Sequence, residues 1–370
     1  MDVGLSIIFQ GVDPKLTDKQ VYDNDLYLGS LAEELGFQSI WGVEHHFTDY
    51  TMCPDVTQFL SYWAGRNPNL ALGTMVIVLP WHDPLRVAEE VAMLDNMSDG
   101  RVILGIGRGL GRVEFEGFGR DMNSAREYFT ESAEMILEGL ETGFCEYQGR
   151  HIRQVRRELR PRPFKSFRGR TYAAAVSPES SQIMAKLGVG ILIIPQKPWE
   201  HVDRELAAYR EIFRQANGFD APPPILAGWT YCDRSADRAE EMATRYIGNY
   251  YHSVIRHYEM AGDHLKQTKG YEAYAAMQEH VSKSVEDAVK FFMNLQVWGT
   301  PEQCLERIRN FTARTGAGAY TGVFSYGGMP LADAEASLRL FAREVLPELR
   351  KLPGEPLLQR QAPAKKVAAG

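Results

Sequence analysis

Short runs of β-branched and aromatic residues alternate along the chain with longer stretches whose apolar positions recur at helical spacing. This alternation predicts repeated strand–helix units and a parallel sheet. Val3 to Phe9 reads as the first strand, Thr17 to Leu35 as a helix that stops at Gly36, and Phe37 to Val43 as the second strand. Leu70 to Leu79 gives a third strand, Pro84 to Met97 a helix, and Arg101 to Ile106 a fourth strand. Strands five to eight follow at Tyr172 to Ser177, Gly190 to Ile194, Ile225 to Tyr231 and Tyr320 to Tyr326. Helices are expected over Ser124 to Glu141, Glu179 to Leu187, Trp199 to Ala216 and Ala332 to Leu349. Units at this spacing favour a closed (β/α)8 TIM barrel, although a doubly wound open sheet produces the same local pattern.

Two stretches stand outside this rhythm and read as insertions after strands four and seven. Phe144 to Arg170 carries Pro161-Arg162-Pro163 and many arginines, which predicts a solvated, irregular segment. Ala261 to Gln296 is polar and aromatic without a clean strand of its own, and a long insertion of this kind in an enzyme is often a lid. The expected organisation is a single domain over residues 1–350 and a disordered tail over 351–370, a stretch rich in Pro, Ala and Lys.

Composition narrows the class. A chain of 370 residues with 44% hydrophobic and 24% charged positions can bury one large core. Its formal charge of −7 argues against nucleic acid or an anionic membrane as partner, because both demand a basic face. A small-molecule substrate is the better expectation. Cys53, Cys145, Cys232 and Cys304 show no CxxC spacing, which fits reduced thiols in a cytoplasmic protein and no metal site. No apolar run approaches the ~18 residues needed to cross a bilayer.

Chemistry-bearing residues gather where strands should end, the edge at which catalytic groups of a parallel barrel converge. Trp41-Gly42-Val43-Glu44-His45-His46 places an acid and two histidines there. Neighbouring residues on a strand point to opposite faces, so His45 and His46 would not share one metal ion. Gly105-Ile106-Gly107-Arg108-Gly109-Leu110-Gly111 fails the GxGxxG test, since Leu110 and Arg112 occupy the wrong places and no helix is expected before about Ser124. Missing side chains there would let backbone approach a planar ligand, with Arg108 offering a forked donor to phosphate. Ser177-Pro178-Glu179-Ser180 opens a helix and reads as either a simple cap or an anion site. Trp81, Phe115, Trp229, Tyr231 and Tyr326 near strand ends point to an apolar substrate or to core packing.

Glu44-His45-His46-Phe47-Thr48, Gly73-Thr74 with Ile77 to Pro80, Asp83 to Arg86, Leu94 to Arg101, Gly105 to Leu110, Phe118 to Met122 and Gly299 to Cys304 stand in an order that resembles the bacterial luciferase-like flavin monooxygenases, in particular their α subunits. The resemblance spans roughly residues 3 to 350 and implies a (β/α)8 barrel. It implies that reduced FMN, supplied by a separate flavin reductase, and O2 oxygenate an apolar organic substrate through a flavin hydroperoxide. It further implies a homodimer or a heterodimer with a homologous subunit. By matching position, Glu44 would touch the flavin, His45 would act in hydrogen bonding or proton transfer, and Met75 and Val76 would form a peptide, often cis, under the ring. Arg108, Arg126, Val176, Ser177 and Ser180 would surround the FMN phosphate, and Leu110 would lie beside the ring. Gly107 and Gly111 replace a cysteine and an aromatic residue of luciferase, which implies a larger pocket and a substrate other than a fatty aldehyde. The alternatives are a deazaflavin-dependent oxidoreductase of the same barrel family and a non-catalytic flavin-binding partner subunit. His45 and the segment Gln267 to Tyr271, which resembles the mobile loop of the catalytic subunit, favour the oxygenase.

Overall fold

The computed structural model describes residues 1–174 and 178–359. Its strands β1 (Asp2–Ile7), β2 (Ser39–Gly42), β3 (Ala71–Thr74), β4 (Val102–Gly107), β5 (Thr171–Ala174), β6 (Gly190–Ile193), β7 (Ile225–Cys232) and β8 (Ala319–Val323) pair in parallel, each with the next. β8 also pairs with β1, which closes the ring. The barrel reading therefore holds over the open sheet.

Why the ring can close is visible in its interior. Trp41 points inward from β2, and a Cβ on Gly73 would lie 2.1 Å from its ring, while one on Gly4 would lie 2.6 Å from its indole nitrogen. Two glycines on the flanking strands thus make room for one tryptophan. Trp41, Ala71, Ile103, Tyr172, Leu192, Ile225 and Ala319 fill the barrel as a packed core, and a larger apolar layer lies between strands and helices. Helices start where the sequence supplies caps. Asp83 caps Pro84–Met97 with proline at its first position, and Thr17 and Thr300 form capping boxes for Asp18–Ser30 and Pro301–Thr315. Asp95 and Arg170, both fully buried, pair through two bonds of 2.7 and 2.8 Å and tie the helix Pro84–Met97 to the entry of β5. The four cysteines are free and buried, and no described helix is long and apolar enough to cross a membrane.

Several expectations change. The stretch read as irregular opens with an antiparallel hairpin, Phe144–Gln148 with Arg153–Glu158. Its second strand is almost wholly exposed, so it has no apolar alternation to read, and the Arg156 guanidinium lies 3.7 Å from the Phe144 ring centre. The segment after β7 carries the helices His264–Gln267, Glu272–Lys283 and Val285–Asn294, and then Val297–Gly299 pairs with the end of β7 outside the ring. A helix, Arg112–Gly117, follows Gly111 at once, well before Ser124. The tail expected from residue 351 begins packed against the barrel: Leu357 is buried and its N–H donates to the Asp2 carboxylate at 2.5 Å.

Candidate active site

A cavity of about 200 Å³ opens at the C-terminal ends of the strands. Glu44, His45, Met75, Val76, Arg108, Leu110 and Ser180 border it, so the structure brings these expected residues to one place. Trp229, Tyr250, Tyr258 and Phe292 supply an aromatic wall. Clefts of about 300 and 370 Å³ elsewhere share none of these residues. Of the aromatic residues expected near a substrate, only Trp229 reaches the cavity. Trp81 packs against His46 and Phe115, and Tyr231 and Tyr326 are core residues, the latter donating to the Thr230 carbonyl at 3.2 Å.

The two histidines lie just beyond the end of β2, and their rings diverge, each to a different carboxylate. Glu44, 2% exposed, accepts from His46 Nε2 at 3.0 Å, from His82 Nε2 at 2.6 Å and from the Val78 N–H at 2.8 Å. Burial alone would raise its pKa, but these donors outweigh it and hold the carboxyl below the usual range. Glu44 therefore anchors the segment just beyond the cis Met75–Val76 peptide. His45 instead presents Nδ1 to Glu114 at 2.9 Å, while its Nε2 lies 3.4 Å from the Tyr258 hydroxyl. Glu114 also faces His257 Nε2 at 3.4 Å, and the donor atoms of His45, Glu114 and His257 all lie within 4.8 Å of one another. Such a set has the residue types of a divalent-metal site, so the expectation of none meets a candidate cluster.

Arg108 borders the cavity and Arg126 does not, but the Gly270 carbonyl accepts from both, from Arg108 Nη1 at 2.7 Å and from Arg126 Nη2 at 2.9 Å. Arg108 stacks on Tyr271, 4.0 Å from the ring centre, and Arg126 pairs with the exposed Glu179. Arg126 Nε is buried without a partner among the described residues. Two guanidinium groups converge on one neutral oxygen, with the Glu179 and Glu272 carboxylates beside them, and the N–H donors that this oxygen does not use are of the kind a phosphate dianion accepts from. The residues therefore fit the phosphate end of FMN. Val176 and Ser177 lie outside the described residues.

The glycines do not enlarge this pocket. A Cβ on Gly107 would lie 2.3 Å from Val76 Cγ2, and one on Gly111 would lie 2.4 Å from Glu114 Oε2. The space that these positions leave is filled by neighbours. Sequence reasoning missed Glu114 and His257: one sits on a six-residue helix behind a glycine run, the other ends the helix Ala236–His257, and no local spacing links either to His45.

A family model described as luciferase-like monooxygenase matches residues 1–318. The chain belongs to that family. The alkanal monooxygenase α chain of Photorhabdus luminescens is 28% identical over 344 residues, covering 91% of this chain and 95% of its own. A monooxygenase from Streptomyces bottropensis superposes with a TM-score of 0.77 at 26% identity, over 94% of this chain and 99% of its own. The FMN complex of the oxygenating constituent of 3,6-diketocamphane monooxygenase from Pseudomonas putida shares the fold, with a TM-score of 0.73 at 18% identity, over 96% of this chain and 100% of its own. As a member of the luciferase-like family the chain is a monooxygenase, an oxidoreductase on a TIM barrel.

Proposed function

We propose that the strand-end cavity holds reduced FMN, delivered by a separate flavin reductase, and that the enzyme uses it with O2 to oxygenate an apolar organic molecule. The observation that carries this reading is the convergence of Arg108 and Arg126 on the Gly270 carbonyl beside a cavity walled by Met75, Val76 and His45. Arg108, Arg126 and Ser180 would hold the phosphate, and Met75, Val76 and Leu110 would flank the ring. Reduced FMN, once bound, supplies the electrons that divide O2 between substrate and water.

The protein's own residues do the rest. Trp229, Tyr250 and Phe292 offer an aromatic, buried wall for an apolar substrate. Tyr271 and Tyr274, carried by the insertion after β7, close over Arg108 and keep water from that side. His45, bordering the cavity, can hold or accept a proton at Nε2. Glu44 keeps the Val78 backbone, and with it the ring-facing segment, in place. The same fold accommodates FMN in the Pseudomonas putida enzyme, and the alkanal monooxygenase relatives act in the same reaction class.

Equilibrium dialysis under nitrogen tests the reading. Reduced FMN is expected to bind at least about tenfold more tightly than NADPH or a reduced deazaflavin, a difference of roughly 1.4 kcal/mol. Equal affinity for NADPH, or preference for the deazaflavin, would overturn it.

A further inference from the structure

Three elements that are distant in sequence meet behind the cavity wall. His45 leaves the end of β2, Glu114 sits on the helix Arg112–Gly117, and His257 is the last residue of the helix Ala236–His257. Glu114 Oε1 accepts from His45 Nδ1 at 2.9 Å and from the His46 N–H at 3.0 Å, while its other oxygen faces His257 Nε2 at 3.4 Å. His257 Nδ1 lies 2.8 Å from the Thr48 hydroxyl. The glutamate side chain is fully buried and that of His257 is 1% exposed.

We propose that Glu114 is the positioning carboxylate of His45, fixing the ring in its Nδ1–H form so that Nε2 faces the cavity as a proton acceptor, with His257 as the second ring that holds the carboxylate. The proposal deepens the flavin-site reading and rests on it for the chemistry that His45 serves.

The chemistry of the donors decides the tautomer. An ionised carboxylate can only accept, so Nδ1 of His45 must carry the proton, and a neutral ring then leaves Nε2 as an acceptor, with the hydroxyl of Tyr258, itself a cavity-lining residue, 3.4 Å away. A base oriented by a buried acid in this way is a recurring arrangement in enzymes that move protons. Burial opposes ionisation of Glu114, but the imidazoles that flank it, His45 at 2.9 Å and His257 at 3.4 Å, bring its carboxyl down to about 2, so it remains an acceptor throughout the working range. Burial lowers the pKa of His257 and favours its neutral form, in which Nε2–H faces Glu114 and Nδ1 accepts from Thr48.

Gly111 adds an independent observation. A Cβ there would lie 2.4 Å from Glu114 Oε2 and 3.1 Å from His257 Nε2, although its φ of −71° suits any residue. What demands glycine at this position is therefore the carboxylate–imidazole pair and not the backbone. The same atoms could bind a divalent cation, but the Glu114 oxygen nearest His45 is already held by two N–H donors, which favours the hydrogen-bonded arrangement.

The test uses the full-length protein and its Glu114→Gln, Glu114→Asp and Gly111→Ala variants. Spectra of nitrogen-labelled histidine, recorded without flavin, should show His45 as the Nδ1–H tautomer in the wild type and should lose that form in Glu114→Gln. Substrate-dependent oxygen uptake should fall by about 10²-fold or more in Glu114→Gln, with Kd for reduced FMN and apparent KM for substrate within about threefold of wild type. Glu114→Asp should recover part of the rate. Gly111→Ala, which displaces the carboxylate without removing it, should act in the same direction and serves if Glu114→Gln does not fold. An unchanged tautomer, near-normal uptake in a folded Glu114→Gln protein, or activity lost to EDTA and restored by Zn²⁺ would each overturn the proposal. The tautomer is read without flavin, so failure of the flavin reading and failure of this one are told apart.

Discussion

Arg108→Ala is the perturbation for which the structure gives the clearest magnitude. A guanidinium carries five N–H donors in a planar fork, and the bond to the Gly270 carbonyl at 2.7 Å uses one of them. Arg108 can therefore keep its hold on the insertion and still offer donors to a phosphate. A hydrogen bond to a charged group contributes about 1.5–3 kcal/mol, so its loss should weaken reduced FMN binding by roughly 10- to 150-fold. The free protein also loses the stacking on Tyr271, worth about 0.5–1 kcal/mol. That loss loosens the cover over the site and adds to the weakening where closure accompanies binding. Arg108→Lys should fall between the two, because it keeps the charge but loses the fork. Anaerobic titration monitored by flavin fluorescence reads Kd, and circular dichroism checks the fold. A folded Arg108→Ala protein with unchanged Kd would refute the assignment of the phosphate end.

Three further outcomes follow from the same geometry. His45→Ala should bind reduced FMN normally but lose about 10²-fold in turnover, with more hydrogen peroxide released per NADH consumed by the coupled reductase. A structural His45 would instead show lowered melting temperature with coupling intact. Asp95→Ala leaves the Arg170 charge buried and unpaired and should cost about 3–5 kcal/mol in urea unfolding, whereas a loss below 1 kcal/mol would show the site filled with water. Burial pushes the Asp25 carboxyl up to about 6, so the folded state holds its proton more tightly and stability falls as pH rises from about 4 through 6. Asp25→Asn should flatten that part of the profile by up to about 3 kcal/mol, read from denaturation midpoints, and an unchanged slope would contradict it.

The barrel was legible because its strands are short, apolar and separated by helices with recognisable starts. The helix Pro84–Met97 matches its expected limits, since Asp83 and Pro84 mark its beginning and Ser98-Asp99-Gly100 its end. The hairpin after β4 was not legible because Arg153–Glu158 is charged on both faces and carries no periodic signal. At the site, Glu44, His45, Arg108 and Leu110 could be placed because they sit at strand ends, where topology alone brings side chains together. Glu114 and His257 could not be placed, because their meeting with His45 depends on how the short helix Arg112–Gly117 and the end of the helix Ala236–His257 pack over the strand ends. Gly111 shows the limit of reading size from sequence: a glycine in place of an aromatic residue implies added space, yet that space holds the Glu114 carboxylate.

The most direct test of the account is the fate of oxygen. An oxygen-uptake screen of apolar carbonyl and aromatic compounds, with a flavin reductase present, identifies a substrate, and a single turnover is then run with isotopically labelled O2. The account predicts one labelled atom in the organic product and none of that product under nitrogen. A product that carries no label, or one that forms equally well without oxygen, would contradict it and point to hydride transfer in the same barrel.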